Sequence, residues 1–385
     1  MTLIVSVAVI TSTVLTIYVL LRYGDKRIEG RIPLPRGAFV AVLFCSGLDV
    51  GLIMFPLLEF PVYESEAAYS FAHPIAIELG MWGLLIWGFY FLTAFYFLRI
   101  EPELKLFKNP IVNFVNSLVV MATCAFTGYL FLDTLPNYID GLTVWGSYLV
   151  VGLVIAFACY SASDVIFMKW LSIFSMYGFF GLGVLMFVFS GGDVVNYVST
   201  LTNYGDYFVS LHRFVTPITD YHEFYLFWWF AWSIMIGQFM AKFASEMTVR
   251  MLALLMIVIP SIPLALWFGV LFVFHSEGIE IPDWLNLAMV SIGVIFVVNS
   301  LDSLIRLYTD NLRIPVERLG KWPFIGANFV IMIALVGAYQ FLNFKIEHVG
   351  LVVIGLYAVT YIAIFRNRDV VRAELRSDEV SHALE

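Results

Sequence analysis

Long apolar runs alternate with short polar connections along the chain. Eleven runs of about 20 residues are almost entirely apolar, and most of the charged side chains lie between them. A run of about 20 apolar residues can cross the hydrocarbon core of a bilayer as an α-helix. The pattern therefore predicts an all-α membrane protein with about eleven transmembrane helices. The predicted helices lie near residues 3–22, 38–56, 76–97, 111–132, 142–161, 167–189, 223–243, 250–274, 284–306, 322–343 and 347–365.

The composition fits a chain that is solvated by the lipid bilayer. Of the 385 residues, 61% are hydrophobic and 13% are charged, which is too little charge to cover a water-soluble protein of this size. No basic segment precedes the first apolar run and no small-residue cleavage site follows it. We therefore expect this run to be a retained helix rather than a signal peptide.

The sequence offers little chemistry for an enzyme or a cofactor. Cys45, Cys124 and Cys159 lie inside apolar runs without the CxxC spacing of zinc or redox sites. The six histidines lie in loops, at helix ends or in the tail, and the sequence contains neither a Walker motif nor a GxGxxG motif. No basic and aromatic stripe suggests a nucleic-acid partner. We expect neither an enzyme nor a bound cofactor.

The basic residues lie almost entirely on one side of the eleven-helix arrangement. Only Arg213 and Lys345 of the 21 Lys and Arg residues fall on the opposite side. Because cytoplasmic loops are enriched in Lys and Arg, the split predicts an outside N-terminus and a cytoplasmic C-terminus in the bacterial inner membrane. The longest outside loop, residues 190–222, is too polar to span but has an apolar face, so part of it is predicted to be an interfacial helix.

Aromatic side chains are concentrated deep inside two predicted helices. One set is Trp82, Trp87 and Tyr90 on the third helix, and the other is Tyr225, Trp228, Trp229 and Trp232 on the seventh. Continuous helices would place these sets on arcs of about 140° and about 100°. Two aromatic faces can enclose a quaternary ammonium group through cation–π attraction. The alternative is a membrane-interface belt or ordinary packing, but Trp87 and Trp229 lie well inside their spans.

Polar and glycine residues interrupt two further helices. Gly47, Asp49 and Gly51 are expected to weaken the second helix, and a broken span exposes the carbonyls that secondary transporters use to bind substrates and ions. The alternative is a glycine packing face with Asp49 at the headgroups. Late in the ninth helix, Asn299, Ser300, Asp302 and Ser303 could ligate Na⁺, or could simply be solvated near the cytoplasmic end.

These motifs, in this order, resemble those of the betaine/choline/carnitine transporter family. Residues 47–52, followed by Glu59-Phe60, resemble its G-x-G-x-G-L…E-P segment, with Asp49 replacing the middle glycine. The spacing of the third-helix aromatics is similar to its substrate-box motif. The other matching segments are 164–176, which resembles D-K-G-I-K-x-L-S-x-x-N-M, 224–239, which resembles the tryptophan-rich signature helix, and 299–303, which resembles T-S-A-D-S.

The resemblance implies a fold of two extra helices followed by a LeuT-type five-plus-five inverted repeat, commonly assembled as a homotrimer. Our eleven helices fit this plan with the first helix missing. The implied divisions are an extra helix and cytoplasmic loop at 1–36, a first repeat at 37–190, a periplasmic interfacial segment at 191–222, a second repeat at 223–366 and a cytoplasmic tail at 367–385.

The resemblance also implies a function and its residues. It implies a secondary transporter that imports an onium solute such as choline, glycine betaine or carnitine, coupled to Na⁺ or H⁺. A transport-inactive relative that acts as a sensor or as a subunit of a larger complex is the alternative. The implied solute-binding residues are Trp82, Trp87, Tyr90, Trp228, Trp229, Trp232, Asp49 and Met54, and the implied ion-binding residues are Cys45, Leu48, Asn299 and Ser300.

Two substitutions lead to specific expectations. Asp49 adds a carboxylate where the family has glycine, so we expect it to favour positively charged solutes over betaine, which carries a carboxylate of its own. Asn299 replaces the threonine of the ion-site motif, so we expect weakened Na⁺ dependence.

Overall fold

A computed structural model of the chain describes residues 1–48 and 51–381, without the side chains of residues 165–169 and 376–381. The helices in the first part of the chain are α1 (Thr2–Tyr23), α2 (Arg36–Ser46), α3 (Gly51–Met54), α4 (Pro56–Ser65), α5 (Pro74–Trp82), α6 (Leu85–Phe95), α7 (Glu101–Leu104), α8 (Pro110–Thr134), α9 (Val144–Ala162) and α10 (Val165–Phe189). A π-helical turn at Tyr96–Ile100 joins α6 to α7.

The second part of the chain continues in the same way. Its helices are α11 (Val194–Thr202), α12 (Gly205–Val209), α13 (Asp220–Ala241), α14 (Val249–Ala253), α15 (Ile259–Ser276), α16 (Asp283–Asn311), α17 (Val316–Leu319), α18 (Lys321–Phe341), α19 (Ile346–Arg366) and α20 (Arg368–Ser381). A second π-helical turn, Leu254–Val258, joins α14 to α15, and 3₁₀ turns lie at Ala67–Tyr69, Leu106–Lys108, Leu135–Asn137 and Leu211–Arg213.

The prediction of an all-α, multi-span membrane protein is confirmed. Among the described residues, ten helical segments are long and apolar enough to cross a membrane, and they coincide with ten of the eleven predicted spans. The remaining run, the second, forms the shorter helices α2, α3 and α4. The division into two inverted repeats stays a prediction.

The second span is broken where the glycines predict an interruption. α2 ends at Ser46, where the Gly47 amide donates to the Leu43 carbonyl at 2.7 Å, and the next described helix begins at Gly51. Pro56 then occupies the first turn of α4, where its missing N–H costs no helical hydrogen bond. Asp49 lies outside the described residues.

The third span is also broken, which the sequence pattern did not predict. α5 ends at Trp82 and α6 begins at Leu85, with Leu84 in a left-handed conformation at φ 29°. A non-glycine residue there is strained, and a contact from another helix compensates for it, because the Leu84 amide donates to Ser261 Oγ at 3.0 Å. The calculated arc from Trp82 to Tyr90 is therefore wrong, since no continuous helix joins them.

The seventh span, α13, lies at the centre of the fold. It packs against α6, α8 and α19 and is buried along most of its length. Glycines permit the closest approaches: a Cβ at Gly237 would meet the Thr93 side chain at 2.0 Å, and a Cβ at Gly350 would meet the Phe227 carbonyl oxygen at 2.4 Å. The ninth span, α16, packs against α8, α9 and α10 and supplies the polar residues of the second candidate site.

Short connections tie the spans together. The two-residue strands β1 (Arg27–Ile28) and β2 (Met247–Thr248) pair antiparallel and join the loops that follow the first and seventh spans. The predicted helical character of the loop at 190–222 is confirmed, because α11 and α12 lie there and pack against α15 and α5. Their placement in the membrane interface stays a prediction.

Candidate solute and ion sites

Four aromatic side chains from the third and seventh spans meet in the interior. We call Trp82, Tyr225, Trp228 and Trp229 the aromatic cluster. The Trp82 ring centroid lies 5.6 Å from that of Tyr225, 5.5 Å from that of Trp228 and 5.0 Å from that of Trp229. All four side chains are at most 2% exposed. The structure therefore brings the two predicted aromatic faces into direct contact.

Helix periodicity and the break in the third span together create the cluster. Tyr225, Trp228 and Trp229 are three and four residues apart, so they share one face of α13. The end of α5 leaves carbonyls without helical partners. Two indoles bind them: Trp229 Nε1 donates to the Met81 carbonyl at 2.7 Å, and Trp87 Nε1 donates to the Trp82 carbonyl at 3.0 Å.

Trp87 and Tyr90 form a separate pair on α6. Their ring centroids lie 5.3 Å apart in an edge-to-face arrangement. The Trp87 ring also packs on Gly47, where a Cβ would lie 3.2 Å from the ring. These residues connect the aromatic cluster to the broken second span through the Trp82 carbonyl. The predicted box thus consists of two adjoining groups rather than one helical arc.

Three of the buried indoles lack hydrogen-bond partners. The N–H groups of Trp82, Trp228 and Trp232 have no partner within the described part of the chain, although each side chain is at most 1% exposed. Leaving a buried donor unpaired costs about 1–3 kcal/mol. The cluster therefore combines aromatic ring faces with donors that could bind a carboxylate or hydroxyl oxygen.

The cluster is closed by contact between its own rings. The Trp228 and Trp229 rings stack with their centroids 4.8 Å apart. The Phe55 ring centroid lies 6.3 Å from that of Trp82 and 6.2 Å from that of Trp228. Three cavities, of about 600, 260 and 240 Å³, are lined by residues outside the cluster. A solute can enter between the rings only if they separate.

Met54, one of the predicted solute-binding residues, makes a backbone hydrogen bond in the broken second span. Its side chain is fully buried, and its carbonyl accepts a hydrogen bond from the Tyr138 hydroxyl. Two residues earlier in the broken second span, the Leu52 carbonyl accepts from Trp267 Nε1 at 2.9 Å. Indole and phenol donors thus satisfy the carbonyls that the break exposes.

The predicted ion-site residues also lie together, between α2, α10 and α16. Ser300 Oγ donates to the Leu48 carbonyl at 2.6 Å. Cys45 Sγ donates to the Ser172 carbonyl at 3.3 Å, and Ser172 Oγ donates to Asn299 Oδ1 at 3.2 Å. Hydroxyl, amide and carbonyl oxygens are the atoms that hard cations such as Na⁺ prefer. Ser172 is the linking residue, and its contribution depends on packing that periodicity does not predict.

Asp302 belongs to a separate network. Its carboxylate pairs with Arg306, with 2.8 Å between Nε and Oδ1, and accepts a hydrogen bond from Ser161. Ser303 Oγ lies 3.0 Å from Ser46 Oγ. The Arg306 guanidinium already neutralises the Asp302 carboxylate. A role of Asp302 and Ser303 as ion ligands stays a prediction.

The structure places two further acidic residues beside the aromatic cluster. Glu59 Oε1 accepts a hydrogen bond from Tyr225 at 2.5 Å, and Glu78 is fully buried on α5. No role for either residue follows from the sequence pattern. The available signal was an acidic residue inside an apolar run, since such residues are costly in a membrane.

Comparisons with known proteins point to transport. No protein-family model matches the chain. It is 22% identical over 302 residues to an uncharacterized transporter of Mycobacterium tuberculosis, covering 65% of this chain and 50% of that protein. It is 23% identical over 272 residues to a glycine betaine transporter of Acinetobacter baylyi, covering 60% and 41%. The chain spans about half the length of the curated relatives it matches. These similarities support a transporter role for a multi-pass membrane protein.

Proposed function

We propose that the chain is a secondary active transporter for a quaternary-ammonium or related onium solute. The aromatic cluster carries this proposal, because it combines four ring faces with unpaired indole donors beside two broken spans. Ring faces suit the ammonium group, and the indole N–H groups suit the oxygen atoms of choline or betaine. The similarity to a glycine betaine transporter supports the same solute class.

The oxygen atoms around Ser300 are the proposed site of a coupling Na⁺. They lie at the end of α2, next to the break that also adjoins Trp87. Binding there would favour one arrangement of the broken span and so link the ion to the solute. We also propose that the protein is an inner-membrane homotrimer with an outside N-terminus, and that it imports the solute by alternating access. We also propose that Asp49 favours positively charged solutes over betaine.

Counterflow in proteoliposomes tests the transport function. Purified protein is reconstituted with unlabelled choline or betaine inside, and entry of the labelled solute is measured for wild type, Trp228→Leu and Trp145→Leu. Trp145 is the control because it is 82% exposed on α9, far outside the cluster. Loss of one ring face should weaken solute affinity about 2- to 30-fold in Trp228→Leu, and Trp145→Leu should match wild type. Equal affinities for all three proteins would refute the proposed site.

The closed packing of the cluster supports the second candidate function. A transport-inactive relative that acts as a sensor or a subunit could bind solute without carrying it across the membrane. Solute binding by detergent-solubilised protein, with no counterflow after reconstitution, would favour this function over transport.

A further inference from the structure

Two glutamates are buried together at the contact between α4 and α5. Glu59 is 3% exposed and Glu78 is fully buried. The two helices pack against each other, and the charge of each carboxyl group acts on the other. A buried carboxylate is costly because it loses its hydration, and acidic residues inside membrane proteins therefore often mark a functional site.

The polar atoms of the pair are only partly satisfied. Glu59 Oε1 accepts hydrogen bonds from the hydroxyls of Tyr221 and Tyr225. The second oxygen of Glu59, both oxygens of Glu78 and the hydroxyl of Tyr63 have no hydrogen-bond partner among residues 1–48 and 51–381. Tyr63 is 2% exposed and lies near enough to both carboxyl groups for their charges to act on its hydroxyl. A proton on one carboxyl group would supply the donor that the other lacks.

No positive charge balances the pair within the described part of the chain, where neither carboxyl group forms an ion pair or hydrogen bond with Lys, Arg or His. The titratable groups that face it are the phenols of Tyr63, Tyr69, Tyr138, Tyr204, Tyr221 and Tyr225. The imidazoles of neighbouring elements bind elsewhere: His275 pairs with Glu64 at 2.9 Å, and His222 and His73 each accept a backbone N–H.

Two adjacent carboxyl groups in such surroundings cannot both be ionised. Each negative charge raises the free energy of forming the other, and no cation offsets the repulsion. We therefore expect the pair to keep at least one proton at neutral pH. Phenols can stabilise the remaining charge by hydrogen bonding but cannot neutralise it.

Tyr225 joins this pair to the aromatic cluster. Its hydroxyl binds Glu59, and its ring centroid lies 5.6 Å from that of Trp82 and 5.4 Å from that of Trp228. A cation held by the cluster would lie about 10 Å from the carboxyl pair, where an effective dielectric constant of about 20 makes two unit charges change each other's binding by about tenfold. Because the cation stabilises the ionised pair, the proton and the cation oppose each other.

We propose that Glu59 and Glu78 form a proton-binding site whose occupancy competes with a cationic solute in the aromatic cluster. The inference rests on the proposed transport function. When the solute arrives, one carboxyl O–H bond breaks and the proton passes to water on the side to which the protein is open. The proton is then exchanged for the solute, so import has to be driven by a different ion, such as Na⁺ bound near Ser300.

Infrared spectroscopy of the purified protein tests the proton site without any solute. The C=O band of a protonated carboxyl group is followed from pH 5 to pH 10 in wild type, Glu59→Gln, Glu78→Gln and Glu64→Gln. Gln resembles a protonated carboxyl group in shape and is expected to preserve the fold. Glu64 is the matched control, because it lies on α4 with a side chain 47% exposed. We expect the band of a buried carboxyl group to titrate in wild type and in Glu64→Gln. In the two pair variants this band should be lost or altered.

Equilibrium binding of choline and betaine then tests the competition. We expect choline to bind wild type about tenfold more weakly at pH 6 than at pH 9. Betaine, which has no net charge, should show a smaller change. The pH dependence should disappear in Glu78→Gln while binding persists, and Glu64→Gln should behave like wild type. If the Gln variants fail to fold, the infrared band and the choline-to-betaine contrast of wild type still decide the matter.

The two proposals fail in different ways. A missing infrared band, or a band unaffected by both pair variants, overturns the proton site even if choline is transported. Choline affinity that is independent of pH, or equally dependent in Glu78→Gln, overturns the competition. Wild-type protein that shows the band but binds neither choline nor betaine overturns the proposed transport function and the competition together, and leaves the proton site standing.

Discussion

Two neighbouring tryptophans allow the hydrogen bond at the break in the third span to be measured. Trp228 and Trp229 are both at most 2% exposed and stack on each other, but only Trp229 donates to a carbonyl, that of Met81. We therefore compare Trp229→Phe with Trp228→Phe. Both variants remove part of a buried ring, and only the first removes a hydrogen bond.

The expected difference follows from the exposed end of α5. The helix ends one residue after Met81, so no intrahelical amide reaches that carbonyl, and its bond to Trp229 Nε1 is 2.7 Å long. Losing the indole leaves a buried carbonyl unpaired, which costs about 1–3 kcal/mol. The ring-packing loss is common to both variants and cancels in the comparison. Trp228→Phe also removes a buried N–H that has no partner among the described residues, which favours that variant. Trp229→Phe should thus be less stable than Trp228→Phe by at least about 1–3 kcal/mol.

Reversible unfolding of the detergent-solubilised protein by SDS provides the assay. The free energy of unfolding is obtained for wild type and both variants from the change in helical circular dichroism. A difference below about 0.5 kcal/mol, or a greater loss in Trp228→Phe, would refute the view that the indole stabilises the break.

Three further predictions use matched variants. Gly350→Ala should destabilise the protein by about 1–3 kcal/mol, because its Cβ would lie 2.4 Å from the Phe227 carbonyl oxygen. Gly355→Ala, with no atom within 4 Å, should be neutral or slightly stabilising in the same SDS titration. Ser300→Ala should abolish any Na⁺ dependence of uptake. Ser291→Ala, a change at an exposed position on the same helix, is the control and should retain it. Equal Na⁺ dependence in both variants would exclude this ion site. Burial lowers the pKa of His73 despite the opposing charge of Asp206, so the neutral ring is favoured in the folded state. The melting temperature should therefore fall as the pH drops below about 6.5. The fall should be smaller in His73→Asn.

Local patterns predicted the spans and one aromatic face. The apolar runs need only length and composition, and the i, i+3, i+4 spacing of the tryptophan-rich helix places Tyr225, Trp228 and Trp229 on one side of α13 wherever the helix packs. Gly47 likewise marks the end of α2 because glycine locally weakens a helix. The contact of Ser300 with Leu48 agrees with the residues that the family resemblance implied.

Features that depend on contacts between distant segments were not predictable in this way. At the break, the Leu84 amide donates to the Ser261 hydroxyl, which lies 177 residues away along the chain. The sequence pattern around Leu84 by itself predicts an ordinary apolar helix. The meeting of Glu59 and Glu78 likewise depends on how α4 packs on α5, and no periodicity connects the two residues.

The broken third span turns the tryptophans into an optical reporter of their own rearrangement. α5 and α6 can reorient about Leu84 without losing hydrogen bonds inside either helix, whereas movement of α5 away from α13 would stretch the bond from Trp229 to Met81. Indole emission shifts with the polarity and hydrogen bonding of its surroundings. Opening of the aromatic cluster should therefore shift the emission wavelength of the protein's intrinsic tryptophan fluorescence. Emission from the exposed Trp145 should stay constant, and no added label is needed.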